Sequence, residues 1–185
     1  EEAEYAKMLA QTPPEIVRVE MASVYLQLKS LGIDVDTFPF MDSPNPQHLK
    51  KSALLLLRLG ALNREKQLTE LGKKLAVLPL HPLYGRALLV SQEFECVSEM
   101  LSIVAMLSSD SIFYQSKSQK PEMVAARSAL QHSDGDHLTL LRIYKQWSQL
   151  PEGKRRNFCM EVGLNMHSMK RAHDIRKQLK DLLPQ

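Results

Sequence analysis

The sequence predicts a mainly α-helical protein in two consecutive parts, a winged-helix domain and then a helical bundle. Hydrophobic residues make up 44% of its 185 residues and aromatic residues only 6%. This balance favours helices packed on helices over a sheet. Along most of the chain, apolar residues recur every three or four positions, which is the spacing of one buried helix face.

The first part, residues 13–82, has the order of elements typical of a winged helix. Apolar spacing predicts a helix over 17–31 that ends at Gly32 and a second helix over 47–59. Residues 61–68 then read as two short strands joined by a polar loop, the hairpin called a wing. Helix, short strand, helix and hairpin within about seventy residues is the outline of this domain.

Capping residues and inward-facing positions complete this prediction. Thr12 is expected to cap the first helix, which Pro13 and Pro14 open, and Thr69 to cap a short helix over 70–77. The inward positions predicted for the first two helices are Val17, Met21, Val24, Leu28, Leu31, Leu49, Ala53, Leu56 and Leu57.

Beyond a boundary marked by Pro79 and Pro82, the part from residue 83 to 185 is predicted to be a helical bundle. The polar segment 108–120 reads as a loop between its helices. The predicted helices cover residues 83–93, 96–107, 121–130, 137–147, a segment through 158, and 166–183.

The segment that begins Asp134-Gly135-Asp136 predicts a well-capped helix. Either aspartate can accept hydrogen bonds from the free N–H groups of a helix start, and Gly135 permits a tight turn into it. The buried face of this helix is predicted from helical spacing to carry Leu138, Leu141, Tyr144 and Trp147.

Charge and cysteine content narrow the class of protein. No apolar run is long enough to cross a bilayer, and the acidic opening is unlike a signal peptide, so we expect a soluble protein. Cys96 and Cys159 form neither a disulfide framework nor a zinc pattern, which favours a reducing, intracellular compartment.

The net charge of +3 is small, but bases outnumber acids between residues 154 and 180. That basic end is either a phosphate-binding surface or an ordinary solvated helix face.

Several motifs, in order and at matching spacing, resemble the helicase-associated region of the DEAH-box (DEAH/RHA) RNA helicases, and most closely its pre-mRNA splicing members. The similarity covers almost the whole chain. The motifs are Pro14-Glu15-Ile16-Val17-Arg18, Leu59-Gly60-Ala61-Leu62, Leu68-Thr69-Glu70-Leu71-Gly72, Leu78-Pro79-Leu80-His81-Pro82, Ile103-Val104-Ala105-Met106-Leu107-Ser108, Gly135-Asp136-His137, Phe158-Cys159 and Ser168-Met169-Lys170-Arg171-Ala172.

The resemblance implies a winged helix (13–82) followed by a helical "ratchet" domain (83–185), with residues 1–12 as the tail of a preceding RecA-like motor domain. It further implies two motor domains before residue 1 and an oligonucleotide-binding-fold (OB-fold) domain after Gln185. The chain has neither a phosphate-binding Gly-x-x-x-x-Gly-Lys-Ser/Thr loop nor an Asp-Glu-Ala-His motif. ATP and Mg²⁺ would therefore belong to the motor domains, and this fragment alone is expected to hydrolyse no ATP and to hold no cofactor.

Within the chain we predict no catalytic residues and no metal site. Two histidines and two aspartates lie within residues 132–137, but a helix start splays such side chains apart. Serines, histidines and cysteines are scattered over predicted helices without a sharp turn to present a nucleophile. Arg18, Arg127 and Arg142 are expected to form surface or interdomain salt bridges, as is Arg86.

The candidate RNA-binding residues lie at the start of the last helix. Asn165 or Ser168 can cap it, and its N-terminal N–H groups would then donate to a phosphate oxygen. Lys170 and Arg171 follow with two positive charges. Relatives usually carry Arg where this chain has His167, which exchanges a permanent, bidentate charge for a mostly neutral ring.

The resemblance implies that the parent protein is an ATP-dependent RNA helicase whose ratchet domain closes a channel over single-stranded RNA. The winged helix would dock the ratchet on the second motor domain and offer a surface to a glycine-rich (G-patch) activator protein. We expect a nuclear protein of pre-mRNA splicing and mRNA processing. A ribosome-biogenesis helicase of the same family is the alternative, and a protein-interaction scaffold that never binds RNA is another.

Overall fold

The computed structural model describes residues 11–114 and 120–183, which divide into two compact units, one ending at Leu83 and the other beginning at Tyr84. The described residues are mostly helical and contain no strand longer than an isolated bridge. This confirms the predicted mainly α fold class. Of the predicted tail, residues 1–12, only the last two lie within the described part. No helix in the described ranges is long and apolar enough to cross a bilayer.

The described part of the first unit contains a single-turn helix followed by three longer helices. Its helices are α1 (Glu15–Arg18), α2 (Ala22–Ser30), α3 (Pro46–Arg58) and α4 (Glu70–Val77). α2 packs against both α3 and α4. The side chains of Met21, Tyr25, Leu26, Leu56 and Leu75 fill the core between them.

The predicted continuous helix over 17–31 is wrong, because the chain is interrupted between α1 and α2. Val19 is extended, and the carboxylate of Glu20 accepts a hydrogen bond from the Ala22 N–H at 2.8 Å, which starts a new helix. Met21 is buried as predicted, and the new helix buries Ala22, Tyr25 and Leu26. Val24 and Leu31, predicted to face inward, are 38% and 72% exposed.

The wing is shorter than predicted and consists of a single antiparallel bridge between Leu62 and Leu68. Thr69 then caps α4 as predicted, since its hydroxyl oxygen accepts from the Gly72 N–H at 3.0 Å. The same hydroxyl donates to the Gly60 carbonyl at 2.6 Å. One side chain therefore connects the end of the wing to the start of the next helix.

The second unit is a helical bundle. The core cluster includes Met106, Ile143, Trp147, Leu164 and Met169. Its described helices are α5 (Pro82–Val90), which contains the boundary between the units, α6 (Val97–Ser108), α7 (Pro121–Ala129), α8 (Asp136–Gln149), α9 (Glu152–Val162) and α10 (Met166–Leu182). α6 packs against α8 and α10, and α7 packs against α9.

The start of α8 differs from its prediction. Gly135 is the N-cap residue with φ 114, and neither neighbouring aspartate makes a side-chain cap bond. Thr139 holds this turn, because its hydroxyl accepts from the His132 N–H at 2.9 Å and lies 3.1 Å from the Gly135 carbonyl. The predicted aspartate cap is therefore wrong.

The prediction for the buried face of α8 is correct for two of its four residues. Tyr144 and Trp147 are buried as predicted, together with Ile143. Leu138 and Leu141 instead border a shallow surface groove. The helix thus turns a different edge to the core than the leucine spacing indicated.

Candidate nucleic-acid interface

A short antiparallel bridge fixes the place where α10 begins. Phe113 and Leu164 form this bridge. On either side of it, the Tyr114 N–H donates to the Gly163 carbonyl at 3.0 Å, and the Asn165 N–H donates to the Ile112 carbonyl at 2.8 Å. The residues that follow α6 therefore anchor the helix on which the candidate residues lie.

Gly163 turns the chain sharply from α9 into this bridge. Its φ of 72 lies in the left-handed region, and a Cβ there would collide with the Met123 thioether and lie 2.7 Å from Nη2 of Arg127. Both conditions favour glycine at this position. The left-handed turn and the bridge together place Asn165 at the start of α10.

Asn165 caps α10 with its own side chain. Its Oδ1 accepts from the N–H groups of His167 at 3.0 Å and Ser168 at 3.4 Å. The Met169 N–H bonds to the Asn165 carbonyl at 3.0 Å. The sequence predicts that these first-turn N–H groups donate to a phosphate oxygen, but the Asn165 cap already occupies two of them. A phosphate would need the basic side chains that follow.

Three of those following side chains are exposed on one side of α10: His167, Lys170 and Arg171. Arg171 Nη1 lies 2.8 Å from Oδ2 of Asp110, and the two side chains are 54% and 67% exposed. An exposed pair of this kind contributes only about 0.2–1 kcal/mol. Exchange of Asp110 for a phosphate group would therefore cost little.

Ser168 does not face the same way as these residues. It is 1% exposed, and its hydroxyl has no hydrogen-bond partner within the described residues. Its main-chain carbonyl instead accepts a bond of 2.9 Å from the Ser109 hydroxyl. Ser168 therefore belongs to the packing of α10, and its side chain is not placed to meet RNA.

Two more arginines of the basic end are held by the bundle. Arg155 donates to the carbonyls of Leu150 and Ser148, both at 3.0 Å, and stacks on the Trp147 ring at 4.6 Å. Arg176 donates from Nε to the Ser102 hydroxyl at 2.9 Å. These guanidinium groups stabilise the fold, so the exposed charge of this region is smaller than its composition indicates.

Arginines that we expected in salt bridges bind main-chain carbonyls instead. Arg18 donates to Pro13 at 3.0 Å, and Arg142 donates to Gln131 at 2.9 Å. Arg127 donates to the carbonyls of Val162 and Gly163 at 3.3 and 3.1 Å. A sequence pattern does not show this role, because carbonyl partners leave no charge signal.

Sequence reasoning also missed Asp110, the partner of Arg171. The sequence predicts only a loop over 108–120, and no charge spacing links residues so far apart in the chain. Its signal lies only in the fold, where this segment returns to α10.

Below the start of α10, the thiol of Cys159 is buried, and this burial raises its pKa. The thiol therefore stays protonated and acts as a small apolar group.

Within the described ranges, no three histidine, cysteine, aspartate or glutamate side chains come together to hold a metal ion.

Comparison with known proteins defines the class of protein. The helicase associated domain (HA2), winged-helix, matches residues 52–80, and the helicase associated domain (HA2), ratchet-like, matches residues 81–140. The candidate residues after position 164 lie beyond both matched ranges.

The chain is also similar over 98% of its length to two curated relatives, both ATP-dependent RNA helicase DHX33. It is 37% identical to the human protein and 36% identical to the mouse protein. The chain belongs to the DEAH-box RNA helicase family, of which it carries the helicase-associated winged-helix and ratchet-like domains. It spans 26% of the length of these relatives.

Proposed function

We propose that this chain is the accessory region of an ATP-dependent RNA helicase and that its second unit grips single-stranded RNA by the backbone. The observation that carries the proposal is the side of α10 on which His167, Lys170 and Arg171 are exposed behind the Asn165 cap. The side chains of Lys170 and Arg171, which are consecutive in the sequence, suit contacts with adjacent phosphate oxygens. RNA is proposed as the ligand because the chain belongs to a family of RNA helicases.

Contacts of this kind do not depend on base sequence. Phosphate contacts position a strand without reading it, which suits a machine that must advance along any RNA. In the first unit, α3 offers only Lys50, Lys51 and Arg58 as bases. That is a poor recognition helix, so we do not propose sequence-specific reading by the winged helix.

The ATPase activity is proposed for the parent protein and not for this region. Both named relatives are ATP-dependent RNA helicases, which supports the assignment. ATP and Mg²⁺ would bind to RecA-like motor domains of the same protein. The isolated chain is expected to show no ATP turnover above a buffer control, and RNA-stimulated turnover by it would contradict this.

The partners and the process remain proposals as well. We propose that the chain docks on the motor domains and an OB-fold domain of the same protein, and that its winged helix receives a G-patch activator. Splicing in the nucleus is the process predicted from sequence motifs, with ribosome biogenesis as the alternative. Nuclear imaging and the co-purifying RNA of the tagged full-length protein would decide between them.

The competing proposal is a scaffold that binds protein and not RNA. Salt distinguishes the two, because phosphate binding releases counterions and weakens steeply as salt rises. An apolar protein interface responds little to salt.

The deciding experiment replaces Lys170 and Arg171 by Ala in the full-length helicase. Affinity for two unrelated single-stranded RNAs should fall by similar factors. The log–log salt slope should flatten by about 0.7 for each lost contact. Unwinding should slow with it.

The matched control is the double substitution Lys51→Ala and Arg58→Ala, which removes one lysine and one arginine from exposed positions on α3. It should leave the salt slope unchanged. If both double variants behave alike, or if neither alters RNA binding, the exposed side of α10 is only a solvated helix face and the proposal fails.

A further inference from the structure

The first unit contains a cavity of ≈ 360 Å³ between α3 and the tip of the wing. Leu49 and Ala53 of α3 and the ring of Tyr25 from α2 give it an apolar wall. Charged side chains border the remainder. The cavity is thus large enough for a small organic group and has two chemically different sides.

Tyr25 is the unusual member of this lining. It is 1% exposed, and its phenol oxygen has no hydrogen-bond partner in the part of the chain that the structure describes. A buried hydroxyl without a partner is destabilising and uncommon in folded proteins. Burial raises the pKa of this phenol, so it remains protonated at neutral pH and is able to donate a hydrogen bond.

Lys66 and Lys50 bring positive charge to the cavity. Lys66 Nζ lies 2.7 Å from Oδ2 of Asp36, and each side chain is 53% exposed. The bond to Asp36 raises the pKa of Lys66, which therefore stays charged. Among the described residues, Lys50 has no ion-pair partner. The cavity lining carries more positive than negative charge.

Lys66 is also held in an unusual backbone conformation, with φ 58. Such a left-handed conformation is uncommon for a residue with a side chain, and here it closes the turn at the tip of the wing, where the Lys66 N–H donates to the Asn63 carbonyl at 3.0 Å. It directs the tip of the wing to the Asp36 pair. Both charges lie close enough to Tyr25 to affect its pKa.

We propose that this cavity binds an oxyanion, a carboxylate or a phosphate group, carried on a compact apolar body. The oxyanion replaces Asp36 as the partner of Lys66 and draws in the free ammonium of Lys50. Once Lys66 and Asp36 have separated, the Tyr25 hydroxyl donates to the oxyanion, which is the acceptor that it lacks in this structure. The apolar body lies on Leu49 and Ala53. This site is independent of the RNA contact proposed for α10.

The test follows fluorine NMR of three probes added to the full-length helicase. Fluorobenzoate and fluorophenyl phosphate carry the two oxyanions, and fluorobenzyl alcohol is the neutral analogue of similar shape. Excess ADP and Mg²⁺ occupy the nucleotide site that we propose for the motor domains. Dissociation constants are then measured for the parent protein and for four variants.

Three variants remove one group each from the cavity: Tyr25→Phe, Lys50→Gln and Lys66→Gln. Each should weaken the better oxyanion probe by roughly ten-fold, the value of one hydrogen bond to a charged group. The matched control is Lys51→Gln, which removes the neighbouring exposed charge on α3 outside the cavity and should bind normally. The melting temperature of the Tyr25→Phe variant should equal or exceed that of the unsubstituted helicase, because the substitution deletes a buried hydroxyl that has no hydrogen-bond partner.

A preference for either oxyanion supports the site and tells which group the natural ligand carries. The proposal is overturned if neither oxyanion probe binds, or if the alcohol binds as tightly as they do. Equal binding by the parent and the Tyr25→Phe variant overturns it too. So does a Lys51→Gln variant that loses as much affinity as Lys50→Gln.

Discussion

Arg127 on α7 donates hydrogen bonds to the carbonyls of Val162 and Gly163, at 3.3 Å from Nε and 3.1 Å from Nη2. Its guanidinium also lies 4.6 Å from the centre of the Phe113 ring. One side chain therefore joins α7, the end of α9 and the bridge that precedes α10. The position of the candidate RNA-binding residues depends on this junction.

Substitution of Arg127 by Met should destabilise the junction. Methionine keeps the apolar stem but removes the side-chain donor of the Val162 carbonyl and one of the two donors of the Gly163 carbonyl, which keeps its bond from the Tyr114 N–H. The loss should cost about 1–3 kcal/mol. Hydrogen–deuterium exchange should then speed up in the peptide covering residues 160–169. Arg142→Met is the control, because Arg142 makes a single exposed bond to the Gln131 carbonyl. Equal protection in both variants would contradict the role of Arg127.

Substitution by alanine should change the stability in opposite directions at two glycines, Gly153 near the start of α9 and Gly163 directly after its end. Gly163→Ala adds a Cβ against Met123 at a left-handed position and should destabilise the protein. Gly153→Ala, early in α9, meets nothing within 4 Å. It should stabilise by about 0.5–1 kcal/mol, since alanine is the better helix former. Denaturant midpoints compare the two, and a stabilising Gly163→Ala would show that the turn was misassigned.

His167→Arg should tighten RNA binding. It adds a permanent charge beside Lys170 and steepens the log–log salt slope by about 0.7. His137→Arg provides the same charge change at an exposed position on α8 and serves as the control. Salt titrations of RNA affinity in the full-length helicase measure both variants. If His137→Arg tightens binding equally, net charge and not position is responsible.

The Cys159 thiol should resist alkylation in the folded protein. Burial raises its pKa above the ordinary thiol value of 9.0, so the folded state holds the thiol proton more tightly than the unfolded state does. Its contribution to stability is therefore complete below pH 9.0 and is lost as pH rises through the folded pKa. Mass spectrometry should find iodoacetamide on Cys159 in guanidinium chloride but not in native buffer at neutral pH. Rapid labelling of the native protein would contradict this burial.

Local signals predicted the helices well where they were strong. The starts of α7 and α10 at Pro121 and Met166 were placed correctly, and Thr69 caps α4 as expected. Each of these positions carries a proline, an asparagine or a threonine whose effect reaches only a few residues. Weak or competing signals failed, as at Val19 and at the aspartates before α8, because other local bonds decided those turns.

For the site, the sequence by itself predicted a last helix from Met166, with Asn165 or Ser168 as its cap and with bases behind it, within a helicase-associated region of mainly α fold. Only the tertiary structure decided which of those residues face outward. It buried Ser168, paired Arg171 with Asp110, and committed Arg155 and Arg176 to the bundle. The physical reason is distance along the chain. Caps and helix spacing act between neighbours in sequence, whereas burial and ion pairing depend on segments that meet only after the helices pack.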